Sequence, residues 1–117
     1  MPEKIATLAP ILAFALMYPQ DLLPQDKSFT SSDVLSWDTE SQDWYFETNI
    51  SMAGIIASQN PTDHAECIND WYFESAETRE SAHAEIREVM KQYETHHPGT
   101  VVIAVLERVC GSFNFRD

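Results

Sequence analysis

Apolar side chains recur every three or four positions along most of this chain, and prolines divide the recurring runs from one another. The spacing predicts a helix over 3–18, bent or restarted at Pro10, followed by a connector over 19–29. Thr30, Ser31 and Ser32 ahead of Asp33-Val34-Leu35 predict the start of a short helix. Across 38–59 a capping aspartate opens a long helical block in which Trp44, Thr48, Met52, Ile55 and Ile56 recur at helical spacing, and Asn60-Pro61 closes it. Over 62–95 a second long helix is expected. Ile68, Trp71, Tyr72, Ala82, Ile86, Val89, Met90 and Tyr93 gather on one side of it, and Asp63 with Glu66 makes a capping-box pattern at its start. The polar run 74–81 is where that helix would bend or break.

The last block reads two ways. Val101-Val102-Ile103-Ala104-Val105 suits a buried strand, yet Thr100, Ala104, Glu107, Arg108 and Gly111 form one helical stripe. Pro98 near the first turn and Gly111 just past the end match the punctuation of a helix. The expected fold is mostly α: a compact single-domain bundle of about five helices over 1–117. An α+β fold with a strand at 100–109 is the alternative.

The polar side of 62–95 changes the picture from fold to function. On an ideal helix Asp63, Glu66, Asp70, Glu74, Glu77, Glu85 and Glu88 fall within an arc of roughly 100°. Like charges one turn apart oppose the helix, and Glu88 with Lys91 is the clear opposite-sign pair at helical spacing. The whole chain of 117 residues carries a net charge of -12. That sign repels nucleic-acid phosphates and anionic lipid, so direct DNA, RNA or membrane binding is not expected, and a basic protein is the expected partner.

The pentapeptide Asp-Trp-Tyr-Phe-Glu occurs at 43–47 and again at 70–74, and the residues around it do not repeat. Three consecutive aromatics cannot all face one side of a helix, so at least one of each triplet is expected on a second surface. The triplets serve either as wedges between helices or as a pair of exposed aromatics flanked by acids, which would suit an arginine-rich surface. Asp43 and Glu47 are therefore secondary contact candidates.

Catalytic and metal chemistry find little support. His64, Glu66 and Cys67 lie close in sequence without a second ligand pair, and His96-His97 sits just before Pro98, where a cation favours a helix C-terminus. His83-Ala84-Glu85 matches half of a zinc-deaminase signature whose Pro-Cys-x-x-Cys half is missing. No nucleophile elbow or phosphate-cradling glycine loop is present, so neither an enzyme nor a cofactor or metal is expected. Cys67 and Cys110, the two cysteines, are expected as buried reduced thiols in a cytoplasmic protein. The apolar run 5–18 resembles a signal peptide at Ala13-Phe14-Ala15, but Glu3, a single Lys4 and Pro10 argue for a buried helix, and about 14 residues do not span a bilayer.

The functional expectation is a non-catalytic acidic inhibitor that occupies the basic nucleic-acid-binding surface of another protein by charge mimicry. Phage-encoded anti-restriction and anti-CRISPR proteins of this kind are the analogy. An immunity protein or antitoxin neutralising a basic toxin nuclease is the alternative, and a helical adaptor with merely solvated acids is the third.

Overall fold

The computed structural model describes residues 28–113, and the helix expected over 3–18 lies outside them. Within them the chain forms α1 (Ser31–Leu35), α2 (Thr39–Ser58), α3 (His64–Ile68), a π-helical turn (Asn69–Phe73), α4 (Ala76–Gln92) and α5 (Pro98–Cys110). The fold is a mostly α bundle, and no strand occurs among the described residues.

Local chemistry explains most of the boundaries. The Thr30 hydroxyl accepts from the Asp33 backbone N–H while Asp33 Oδ2 accepts from Thr30 N at 2.9 Å, which closes a capping box on α1. Asp38 caps α2 by accepting from Ser41 N at 3.1 Å. The 100–109 segment is helical: Pro98 stands at its first turn, where its missing N–H costs nothing. Gly111 ends it at φ +98, and its N–H bonds to Glu107 O at 2.8 Å. His97 is the N-cap of α5, its Nδ1 accepting from Gly99 N at 3.0 Å, so this imidazole serves a helix start instead of the preceding helix end.

The segment 62–95 is not one continuous helix, and it breaks inside the polar run 74–81, where the sequence predicts a bend or break. Asp63 makes no side-chain cap bond to α3, the backbone widens into the π turn, and the chain then breaks at Ser75, which is fully extended. A capping box holds the break: Ser75 Oγ accepts from Thr78 N at 3.1 Å, and Thr78 Oγ1 accepts from Ser75 N at 3.0 Å. The Thr78 hydroxyl donates to the Tyr72 carbonyl at 2.8 Å, so the π turn is tied to the restart of α4. A Ser-x-x-Thr cap competes well with helix continuation in a run that has no apolar anchor.

The core runs from α1 to α5 through Val34, Phe46, Ile50, Ile68, Tyr72, Ile86, Met90, Val102 and Leu106, each almost wholly buried. Trp71 and Val89 pack partly against it, and Tyr93 lies outside at 47% exposure. α1 is held against the α4–α5 connection by Ser31 N to His96 O at 2.8 Å and Ser32 N to Glu94 O at 3.0 Å. Beside it Phe29 stacks on Trp37 with centroids 5.8 Å apart and meets Tyr45 and His97 edge-on.

The cysteines are not reduced thiols. Cys67 in α3 and Cys110 at the end of α5 form a disulfide across 43 positions of sequence, with Cα atoms 5.8 Å apart. Neither a CxxC pair nor a short loop announces it, because the packing of α3 on α5 is what brings the two together. Closing a loop over that 43-residue separation restricts the unfolded chain by about 4 kcal/mol in the chain-entropy account. Reduction, or the Cys67→Ser/Cys110→Ser pair, is expected to lower denaturant-measured stability by up to about that amount. Unchanged midpoints with and without reductant would show that the bond does not form.

Candidate functional site

α2 and α4 meet through a polar network buried at its centre. His83 Nδ1 lies 3.0 Å from Asp43 Oδ1, and Tyr72 Oη lies 2.7 Å from His83 Nε2. Since the carboxylate can only accept, Nδ1 carries the proton and Nε2 accepts from the Tyr72 hydroxyl. Arg87 Nη2 bonds to the same Asp43 oxygen, and Arg87 Nε bonds to Gln42 Oε1 at 2.7 Å. The Gln42 amide in turn donates to the carbonyls of Trp37 at 2.9 Å and Leu35 at 3.2 Å. The chain of contacts therefore runs from the end of α1 through α2 and α4 to the π turn.

Tyr72, His83 and Asp43 have the connectivity of a nucleophile, a base and an orienting acid, but Tyr72 is wholly buried and His83 is 7% exposed. Burial, with the Glu47 carboxylate nearby, pushes the Tyr72 phenol up to about 12, the wrong direction for a nucleophile. Burial likewise holds His83 below the ordinary histidine value, against the pull of Asp43. What this arrangement does is pin helices together, with both groups neutral apart from the Asp43–Arg87 pair.

The carboxylates singled out by the sequence divide into two sets. Three are compensated: Asp43 by Arg87, Glu85 by Arg108 at 2.8 Å, and Glu88 by Lys91 at 3.2 Å. Asp63, Glu66, Asp70, Glu74, Glu77 and Glu47 are all exposed and make no ion pair with another described residue. The break at Ser75 separates the first four from Glu77, so they do not form one straight ladder. A wider regularity supports their common field: from Ser28 to Thr78 the chain contains no lysine or arginine. Glu47 joins the set spatially, because its charge acts on Tyr72 in the π turn.

The two pentapeptides are not equivalent epitopes. In the first, Phe46 is buried and Trp44 is 67% exposed; in the second, Tyr72 is buried and Phe73 is 36% exposed. The inward position is shifted by one residue, so each copy both wedges the core and presents a different aromatic. Phe73 borders an open groove of about 350 Å³ with Ala65, Ile68 and Asn69, opposite Ser51, Gly54, Ile55 and Ser58 of α2. Ile55 and Phe73 were the side chains that the charge pattern could not single out. Their signal is that α2 is apolar on two opposite sides, one inward through Phe46, Ile50, Ala53 and Ala57, one outward through Trp44, Met52 and Ile55.

Among the described residues no cluster of three or more His, Cys, Asp or Glu side chains could hold a metal, and no helix is long and apolar enough to cross a membrane. His64 packs edge-on against Phe113 at 5.4 Å beside the disulfide. Comparison with protein-family models, with curated proteins and with solved structures gives no match to any of them.

His83 makes the stability of the fold depend on pH. The unfolded chain takes up a proton near the ordinary value of 6.5 while the folded chain resists it. Stability is therefore held above that value and declines as pH falls below it towards the folded value. His83→Gln is expected to flatten the stability difference between about pH 7.5 and about pH 5.5, read by denaturant unfolding. Tyr72→Phe, which leaves the His83 nitrogen without its donor, is expected to cost roughly 1–3 kcal/mol. At high pH the sign reverses: stability held below 10 is lost as the pH rises towards about 12.

Proposed function

We propose that this protein is a non-catalytic acidic inhibitor that neutralises a basic protein through the exposed carboxylates Asp63, Glu66, Asp70, Glu74 and Glu77, with Glu47 beside them. The supporting observation is that these groups are exposed without ion-pair partners among the described residues, in a stretch of chain devoid of lysine and arginine. Their mutual repulsion is relieved when a cationic surface covers them, and such a field speeds association in a salt-dependent way. Asp43, Glu85 and Glu88 are internally compensated, so they belong to the frame of this surface more than to its field.

Two inhibitor classes use this chemistry, and the disulfide favours one of them. Disulfides persist in oxidising compartments, whereas restriction and CRISPR complexes work in the reducing cytosol. The reading best supported is therefore an immunity protein that neutralises a basic toxin, such as a nuclease, outside the reducing cytosol. Charge mimicry of DNA by an anti-restriction or anti-CRISPR protein is the second reading, and it draws on the same carboxylates.

The oxidised protein, immobilised, is expected to capture a basic protein from native extracts at low salt and to lose it as salt rises. Glu74→Lys/Glu77→Lys is expected to weaken that capture several-fold while the helical circular dichroism is kept. Identification of the captured protein as a toxin supports immunity, and a cytosolic nucleic-acid-binding complex moves the reading to charge mimicry. A captured protein that is not basic, undiminished capture by the variant, or no capture at either salt overturns both.

A further inference from the structure

The outward side of α2 is the largest feature that the carboxylate surface leaves unexplained. Trp44, Thr48, Met52 and Ile55 lie within roughly 80° of arc on the side opposite Phe46, Ala53 and Ala57. Trp44 is 67%, Met52 57% and Ile55 55% exposed, and Ile56 at 49% extends the strip. A helix apolar on both sides belongs in an interior, and a contiguous apolar strip on a chain this acidic marks a contact surface.

Charge decides among its occupants. α2 carries Glu40, Asp43 and Glu47 and no basic residue along its 20 positions; Asp43 is paired with Arg87 of α4, which leaves Glu40 and Glu47 without an ion pair among the described residues. On the helical wheel these acids fall together on the flank of the apolar strip that Gly54 and Ser58 share, and Gly54 and Ser58 line the groove shared with Phe73. In sequence, the elements on the other side of that groove carry Glu66, Asp70 and Glu74 and no cation before Arg79. A second copy of this chain would bring a net charge of -12 against the same sign. The apolar run 5–18 contains no charged side chain, so it would leave the acidic flank unanswered.

We infer that the outer side of α2 docks a cationic amphipathic helix, whose apolar side covers Trp44, Met52 and Ile55 and whose lysines and arginines meet the flanking carboxylates. Resting on the inhibitor reading above, it names the part of the basic partner that this protein holds. The anchoring comes from aromatic and aliphatic burial, while the carboxylates set orientation and rate.

The probe is a labelled 18-residue helical peptide of leucine and lysine, titrated by fluorescence anisotropy into the full oxidised chain, beside a scrambled peptide of the same composition that cannot form one apolar side. At about 0.15 M salt, where exposed charge is screened beyond about 8 Å, the amphipathic peptide is expected to bind at least about tenfold tighter than the scrambled one. Ile55→Ser/Ile56→Ser is expected to remove at least about tenfold of that affinity, since both side chains sit outside the core and each buries on docking. Glu47→Gln is expected to weaken binding less, and mainly at low salt.

Equal binding of the two peptides, or unchanged affinity of the serine variant, overturns the inference. So does a wild-type dimer in sedimentation that the same variant dissociates, or displacement of the probe by a peptide of residues 5–18. If the serine variant still captures the native basic partner while Glu74→Lys/Glu77→Lys does not, this inference fails and the inhibitor reading stands. If neither variant matters to that capture, both fail.

Discussion

Arg87 stands between α2 and α4 with its guanidinium bonded to both Gln42 and Asp43 and its charge 5.4 Å from the centre of the Phe46 ring, and the bundle is organised around that position. It satisfies a partly buried carboxylate that would otherwise face Glu47 and a neutral imidazole. With Asp43 Oδ1 accepting from both Arg87 and His83 Nδ1, His83 keeps one tautomer, Tyr72 has an acceptor, and the π turn is fixed against α4. With Gln42 oriented, the carbonyls at the end of α1 and the loop after it have donors. A chain with few cations commits one of them to its interior, and the surface is correspondingly more negative. Lysine could not replace it, because two acceptors on successive residues of α2 need a planar fork.

That commitment connects the fold to the functional reading. Arg87, Arg108 and Lys91 pair with Asp43, Glu85 and Glu88. Glu47, Asp63, Glu66, Asp70, Glu74 and Glu77 make no ion pair with another described residue. The uncompensated acids lie in the stretch 28–78 that holds no lysine or arginine, and the same stretch carries the exposed Trp44, Ile55 and Phe73. Carboxylates alone would give a non-specific field; apolar anchors inside that field give a surface able to select one cationic partner.

Caps and punctuation made much of this fold readable beforehand. Thr30 with Asp33, Asp38 ahead of α2, and Pro98 with Gly111 around α5 act within four residues of their targets, so their effect survives without tertiary knowledge. The failures lie where distance or ambiguity enters. Cys67 and Cys110 are brought together by helix packing across 43 positions, which no local spacing encodes. The Asp43–Arg87 and Glu85–Arg108 pairs cross between helices for the same reason. On α2, the stripe through Trp44, Met52 and Ile55 reads as well as the stripe through Phe46, Ile50 and Ala57. Periodicity locates apolar faces without saying which of two opposite ones is buried.

The disulfide also sets how the molecule carries load. A pull between the two ends of the described chain passes from α3 across Cys67–Cys110 to Gly111, so the π turn, α4 and most of α5 sit in a covalent loop off the line of force. The chain spanning that 43-residue separation, roughly 140 Å when extended, cannot be paid out while the bond is intact. α1 and α2 have no such bypass. Under tension they are the segments that unravel, taking the Trp44–Ile55 strip apart first while the half of the bundle behind the crosslink stays slack.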